Sequence, residues 1–168
     1  MTTTHIENSN RKTRLQFVLF TVIAAVVAAV ASWSSAAMAL EVWAMFAGFI
    51  AWFTRPTSVR DGVYSMICLF LGIALGALAH IATDALSPSL GALALPLVVF
   101  VVGVVIVGLR TTRVVDNMLA WFIGLVTFFA AEIEIASGTL LEIGSACAIG
   151  GFAGWACQAL NRRLVGAE

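Results

Sequence analysis

The chain has 168 residues, of which 61% are hydrophobic and only 11% are charged, and its formal net charge is zero. Soluble domains carry about 45–50% apolar and about 25% charged residues, so this composition excludes an ordinary soluble domain and indicates a protein whose main partner is the lipid bilayer. Because the sequence has no stripe of Lys and Arg, nucleic acid is also excluded as an expected partner.

Six apolar segments follow one another along the chain, separated by short polar connections. The first is long enough to cross a hydrocarbon core of about 30 Å. A signal peptide is the alternative for this segment, but its apolar run exceeds the roughly 7–15 residues that signal peptides have. The sequence therefore predicts an all-α membrane domain over 15–160, with spans at 15–33, 36–54, 62–82, 90–109, 118–136 and 143–160, an N-terminal tail at 1–14 and a C-terminal tail at 161–168.

The second span is the shortest, since its continuous apolar core covers only 42–54. Either this span starts back at Ala36, or it is tilted or broken within the bilayer. After the third span, Pro88 lies in a more polar stretch, and a proline in a helical pattern commonly marks the end of the helix. We therefore expect a loop at 83–91.

The basic residues indicate the orientation. With six spans, every Lys and Arg falls on one side of the membrane, and the three opposite connections contain none. Cytoplasmic loops are enriched in Lys and Arg, so the sequence predicts that both termini are cytoplasmic. The nine basic residues are Arg11, Lys12, Arg14, Arg55, Arg60, Arg110, Arg113, Arg162 and Arg163.

The two halves of the chain share a pattern of aromatic and glycine residues. Gly48 and Trp52 in the second span correspond to Gly124 and Phe128 in the fifth, 76 positions later. The glycine pairs of the third and sixth spans correspond at an offset of 78. Three spans per half indicate two inverted repeats, a recurrent plan of transporters; the alternative is a chance match between apolar helices. Small residues four apart also favour close helix packing, which makes Gly72, Gly76, Gly150 and Gly154 candidate packing residues.

The run Trp43-Ala-Met-Phe46-Ala-Gly48-Phe49, followed by Arg55-Pro56 and a glycine-rich third span, resembles a known family. It is the domain-of-unknown-function family of small bacterial inner-membrane proteins typified by the enterobacterial YcdZ protein. The fifth and sixth spans also fit, so the resemblance covers most of 30–160. It implies a multi-pass inner-membrane protein and supplies no catalytic residue, because the family has no agreed activity.

Catalytic and cofactor-binding motifs are not found in the sequence: it has no HExxH, no CxxC and no glycine loop followed by Lys-Ser/Thr. His5 and His80 are predicted on opposite sides of the membrane, and no ionisable residue lies at the centre of a span. Cys68, Cys147 and Cys157 fall in apolar runs and are expected to act as small hydrophobic residues. We therefore expect no enzymatic activity, no metal and no cofactor.

Acidic residues gather on the side opposite the basic ones. They could attract cations to the mouth of a pore, or they are the only charges left once the basic residues are confined to the cytoplasm. His80 and Asp84, one helical turn apart, form either a local pair or a weak cation site. The acidic residues concerned are Glu41, Asp84, Glu132, Glu134 and Glu142.

Two functions remain open. The preferred hypothesis is a small-solute channel or transporter that works as a homo-oligomer, because six short helices enclose little space alone. The alternative is a non-transporting scaffold or accessory subunit, in which the glycine seams serve assembly. A cavity walled by aromatic residues would favour the first, and a filled glycine seam the second. The candidate solute-lining residues are Trp43, Phe46, Trp52, Phe122, Phe128 and Glu132.

Overall fold

The computed structural model describes residues 2–55, 58–131 and 137–164, and every regular element in these ranges is helical, as the sequence predicts. Two short 3-10 turns, Gly91–Leu93 and Leu109–Thr111, flank the fourth α-helix. The α-helices are α1 (Thr2–Ala37), α2 (Val42–Phe53), α3 (Val59–Leu90), α4 (Ala94–Gly108), α5 (Met118–Ala130) and α6 (Ser137–Leu164).

Three helical stretches of the described chain are long and apolar enough to cross a bilayer: Arg14–Ala37, Val59–Thr111 and Gly138–Leu164. The second of these contains both α3 and α4. Helices α2 and α5 are equally apolar but have only 12 and 13 residues. At about 1.5 Å per residue each is about 20 Å long, which is shorter than a hydrocarbon core of about 30 Å. The fold is therefore compatible with a membrane protein that contains both long and short helices.

The predicted loop at 83–91 is wrong, because α3 continues through it to Leu90 with Pro88 inside the helix. Pro88 removes one backbone donor, but it lies in the last turn, where one lost hydrogen bond is tolerated. The Ser87 hydroxyl donates to the Thr83 carbonyl at 2.7 Å. The helix ends at Gly91, whose φ of +52° lies in the region that favours glycine, and whose N–H donates to the Ser87 carbonyl.

Two helix boundaries also differ from the predicted spans. Helix α1 begins at Thr2, so the described part of the segment 1–14 is helical and continuous with the first apolar stretch, which begins at Arg14. Helix α2 does not reach back to Ala36, since α1 itself runs to Ala37 and a turn follows, with Ala39 at a φ of +55°. The alternative in which the second span starts back at Ala36 is therefore wrong, and the structure has a short helix at Val42–Phe53.

The two halves of the chain are interleaved. Helix α2 packs mainly against α6, and α3 packs mainly against α5. On the outside, α1 lies against α6 and α4 lies against α3. The third helix of each half therefore contacts the second helix of the other half, which joins the halves through two separate interfaces.

The buried residues of α2 and α5 follow the same pattern. Each helix buries five residues, and each buried residue of α5 lies 76 positions after a buried residue of α2, as Gly124 does after Gly48. The five in α2 are Ala44, Met45, Gly48, Ala51 and Trp52, and the five in α5 are Ala120, Trp121, Gly124, Thr127 and Phe128.

Charged residues divide between the two ends of this bundle. We call the end where α2 and α6 stop and α3 and α5 begin the basic end, and the opposite end the acidic end. The described residues that define the basic end are Arg55, Arg60, Arg110, Arg113, Arg162 and Arg163, and those that define the acidic end are Glu41, Asp84 and Glu142.

Replacing Gly91 by Ala should destabilise the protein by about 1–3 kcal/mol, because an L-residue is strained at this backbone conformation. Gly108→Ala is the matched control. Neither glycine has a neighbouring atom within 4 Å of where a Cβ would lie, but Gly108 has ordinary helical angles. The control should be neutral or stabilising by about 0.5–1 kcal/mol. Thermal unfolding in detergent micelles measures both, and equal transitions would contradict the assigned role of Gly91.

Candidate functional site

The contact between α2 and α6 depends on two glycines that bring the backbones together. A Cβ atom on Gly48 would overlap the carbonyl group of Cys147, and a Cβ atom on Gly150 would overlap the carbonyl oxygen of Met45. Only glycine fits such direct backbone contact, which maximises van der Waals packing where the surroundings offer little hydrophobic driving force. The Cys147 thiol donates to the Ala44 carbonyl at 3.2 Å across the same contact.

The contact between α3 and α5 has the same construction. A Cβ atom on Gly124 would overlap the carbonyl oxygen of Leu69, and one on Gly72 would overlap that of Trp121. Each contact residue of α5 lies 76 positions after one of α2, and each contact residue of α6 lies 78 positions after one of α3. The α3–α5 contact therefore uses the positions that correspond to those of the α2–α6 contact. The offsets found in the sequence thus also relate the contacts in the fold.

One aromatic side chain fills the notch beside each interface. A Cβ atom on Gly154 of α6 would lie 2.7 Å from Cβ of Trp52, and one on Gly76 of α3 would lie 2.8 Å from Cβ of Phe128. Each aromatic side chain therefore packs directly against a glycine of the neighbouring helix, where any larger residue would collide with it.

Trp52 and Phe128 lie beside polar side chains that occupy matching positions of α6 and α3. The indole Nε1–H of Trp52 donates to Oε1 of Gln158 at 3.2 Å, near the basic end. The ring of Phe128 lies 6.2 Å from the ring of His80, centroid to centroid, near the acidic end. Nε2 of His80 is 3.7 Å from a carboxylate oxygen of Asp84, so the predicted local pair is present.

A cluster of polar side chains at the basic end, Thr54, Ser65 and Asn117, was not predicted. We call it the polar clasp. The Asn117 amide donates to the hydroxyl oxygens of Thr54 at 2.6 Å and Ser65 at 2.7 Å, and Asn117 is buried. Its own Oδ1 accepts the Ala120 N–H and so starts α5. Because buried polar groups are costly unless they are paired, this cluster ties the α4–α5 connection firmly to α2 and α3.

An ion pair lies beside the polar clasp. The guanidinium group of Arg55 is 2.6 Å from Oδ1 of Asp116, and about a quarter of each side chain is exposed. The hydrogen bond from Arg55 holds the pKa of the Asp116 carboxyl below its usual value, and the same bond raises the pKa of Arg55. The connections before α3 and before α5 are therefore joined by charge as well as by the clasp.

The five predicted solute-lining residues that the structure describes are divided between the core and the outer surface. Trp52 and Phe128 are in the core, at 6% and 3% exposure, whereas Trp43, Phe46 and Phe122 lie on the outer surface at 37–39% exposure. Glu132 lies outside the described residues, as does Glu134. The predicted packing glycines, by contrast, all lie at helix contacts: Gly72, Gly76, Gly150 and Gly154.

Three cavities in the described part of the chain are apolar grooves on the outside of the bundle. They lie between α1 and α6, between α3 and α6, and between α3 and α4, with volumes of about 260, 440 and 280 Å³. The three cysteines are free and buried, and no group of metal-ligating side chains is found among the described residues.

The sequence signals for the clasp were weak but present. Asn117 directly precedes the apolar run of α5, where an Asn is a favoured helix N-cap. Nothing in the sequence, however, places Asn117 beside Thr54 and Ser65, because these residues lie 63 and 52 positions away.

Comparison with known proteins identifies one family. Residues 21–162 match the family described as "Protein of unknown function (DUF1097)". No curated protein and no solved structure matches the chain.

Gly48→Ala should destabilise the protein by about 1–3 kcal/mol or more, because a methyl group forces α2 away from α6. Gly124→Ala should cost a similar amount, since it disturbs the corresponding contact of α5 with α3. Gly103→Ala, whose added methyl meets nothing within 4 Å, is the matched control. Unfolding in detergent measures all three, and a Gly48 variant as stable as the control would refute the packing described above.

Acid should weaken the basic end. Because the pKa of Asp116 is lowered in the folded state, the ion pair stabilises the fold fully above the usual value of 3.8 and loses this contribution as pH falls through the lower value. We expect the melting temperature of the unaltered protein to fall more steeply between about pH 5 and about pH 2 than that of Asp116→Asn. Arg55→Gln should flatten the profile in the same way, whereas Glu142→Gln, at the acidic end, should leave it unchanged.

Proposed function

The chain belongs to this family of unknown function, and we propose that it passes a small solute across the bacterial inner membrane as a homo-oligomer. In this proposal each subunit has six spans, α1 to α6, arranged as two inverted three-helix repeats. Both termini are cytoplasmic, because that side then holds all nine Lys and Arg residues. The role is not enzymatic, needs no cofactor and involves no nucleic acid.

The observation that carries this proposal is the duplicated set of contacts between the halves. The glycine contacts of α2 on α6 recur between α5 and α3, and so do the aromatic residues in their notches. The buried positions of α2 and α5 also correspond, with five in each helix. Two apolar sequences that are alike only by chance would not be expected to make the same contacts, so these data support a true repeat. Its inversion follows from the odd number of spans in each half.

The short helices support a role in transport. In many inverted-repeat transporters, interrupted or short helices lie at the interface of the repeats and form the substrate site there. Helices α2 and α5 meet this description, since both are short for a membrane span and both pack on the opposite repeat. Irregular backbone at membrane depth is tolerated where protein surrounds it.

The two ends of the bundle are closed differently. The polar clasp and the ion pair hold the basic end together. The positions that correspond to Thr54, Ser65 and Asn117 in the other repeat are Ala130, Ile143 and Glu41, and these side chains cannot reproduce the clasp. The basic end is therefore held by polar contacts that the corresponding positions at the acidic end do not supply.

The need for an oligomer follows from the positions of the aromatic residues. The α2–α6 and α3–α5 contacts are filled by direct backbone contact, so Trp43, Phe46 and Phe122 on the outer surface could line a path only between subunits. The filled glycine seams are also the observation that favours the second candidate, a non-transporting scaffold or accessory subunit of another membrane complex.

Solute flux in proteoliposomes tests the proposal. After an osmotic step, light scattering should show faster entry of at least one small neutral or cationic solute than in protein-free liposomes. Asn117→Ala should change this rate at least twofold, because it removes the amide that ties the start of α5 to the hydroxyl groups of Thr54 and Ser65. Thr111→Ala is the matched control, since its hydroxyl bonds only its own turn, at Gly108.

The native cysteines provide a second measurement. Cys68 is buried beneath the α4–α5 connection, where its thiol approaches the Val114 carbonyl, whereas Cys147 lies within the α2–α6 contact. If the clasp closes a path, Asn117→Ala should increase the reaction of Cys68 with a water-soluble maleimide and leave Cys147 protected. Unchanged labelling together with no flux above protein-free liposomes would reject transport and favour the scaffold.

A further inference from the structure

The largest of the three grooves lies between α3 and α6 and runs to the basic end. Its volume is about 440 Å³, within the range of about 300–1,000 Å³ typical of ligand pockets. Its lining includes Val59, the first residue of α3, and Trp155 on α6, with Trp52 of α2 also lining it. Seven of the ten lining residues are aromatic or branched apolar, and the other three are Met66, Ala148 and Gly151, so the wall suits a hydrocarbon chain.

The groove exists because α6 has small residues where α3 has large ones. Ala148 and Gly151 of α6 line it, and the corresponding positions of α3 are Phe70 and Ile73. The ring of Phe70, which itself lines the groove, lies in front of Gly144 of α6, at 4.0 Å from where its Cβ would lie. The wall of the groove therefore combines small and large side chains of α6 with large side chains of α3.

Two exposed arginines continue the groove towards water. Arg60 is next to Val59 and lies two helical turns before Ile67, which is also in the wall. Its Nε donates to the Tyr64 hydroxyl at 2.8 Å, and its guanidinium lies 5.1 Å above the Tyr64 ring, so its position is restrained. On α6, Arg163 lies three turns after Phe152, on the same face.

The carboxylate of Asp61, which follows Arg60 in α3, accepts a hydrogen bond from the Ser58 hydroxyl at 2.6 Å. An apolar groove with arginines at its cytoplasm-facing mouth matches a lipid with a hydrocarbon tail and a negative headgroup.

We propose that the α3–α6 groove binds an anionic phospholipid, with an acyl chain along Trp52, Phe152 and Trp155 and the phosphate on Arg60 and Arg163. A zwitterionic lipid would fill the same groove but would gain less from the arginines. The α1–α6 and α3–α4 grooves are smaller, and no Lys or Arg is among the residues that line them. The site requires the membrane location but holds whether or not the protein transports a solute.

Tryptophan fluorescence tests this proposal directly, because Trp52 and Trp155 line the groove. Trp33→Phe and Trp43→Phe remove two exposed tryptophans elsewhere and form the background variant. Reconstituted into phosphatidylcholine vesicles, this variant should be quenched at least twice as strongly by phosphatidylglycerol with brominated acyl chains as by equally brominated phosphatidylcholine. Inorganic phosphate added to the buffer should not reverse the quenching, which separates a bound lipid from a free anion.

Arg60→Gln with Arg163→Gln should reduce the quenching by brominated phosphatidylglycerol to the phosphatidylcholine level. Arg110→Gln with Arg113→Gln removes the same charge from exposed positions of the same end and should leave the preference intact. Equal quenching by both lipids before any arginine is changed would overturn the proposal. So would weak quenching by both lipids that rises as the protein is diluted in the bilayer, because a second copy of the chain would then occupy the groove.

Discussion

Direct contact between helix backbones is the constraint on which the rest of the structure depends. Inside a bilayer, apolar side chains gain little by leaving lipid, so helices are held by close packing and by the few polar groups they share. Four glycines bring the helices into backbone contact across the two interfaces: Gly48, Gly72, Gly124 and Gly150. Because each interface joins one half of the chain to the other, the same four positions determine where the short helices lie, where the clasp forms and which surfaces remain outside.

The polar groups of the described chain are few, and their distribution makes the two ends unequal. The Asn117 side chain donates to the hydroxyl groups of Thr54 and Ser65 and accepts the N–H of Ala120. A single amide therefore joins the end of α2, the first turns of α3 and the start of α5 at the basic end. At the acidic end the described partners are more loosely arranged, with the His80–Asp84 pair at 3.7 Å and largely exposed. The described contacts between the halves are therefore alike, whereas the described polar contacts at the two ends are not.

Much of the architecture could be predicted from the sequence, because glycine spacing and aromatic position are local patterns that the helical period preserves. The offsets of 76 and 78 recur in the folded contacts for that reason. The aromatic residues were harder to place, since α2 and α5 are apolar on all sides and periodicity does not say which side is buried. Trp52 and Phe128 are inside and Trp43, Phe46 and Phe122 outside only because of where the partner helix glycines lie. The clasp and the α3–α6 groove depend on contacts between distant segments, which the sequence alone does not reveal. Pro88 is tolerated because it lies in the last turn of α3, which ends at Leu90.

The exchange of helices between the halves has a consequence for biosynthesis. While the first three helices are inserted, Gly48 and Gly72 have no partner, because Cys147 and Trp121 have not yet been made. In a chain that ends after α3, the surfaces around Gly48 and Gly72 are therefore exposed to lipid. Helix α2 gains its main contact only when α6 has been made. Non-local contacts of this kind slow folding and expose unfinished surfaces. Loss of α6 would thus remove the main contact of α2, which lies about a hundred residues earlier in the chain. We expect membrane quality control to recognise incomplete chains by this unpaired surface of α2.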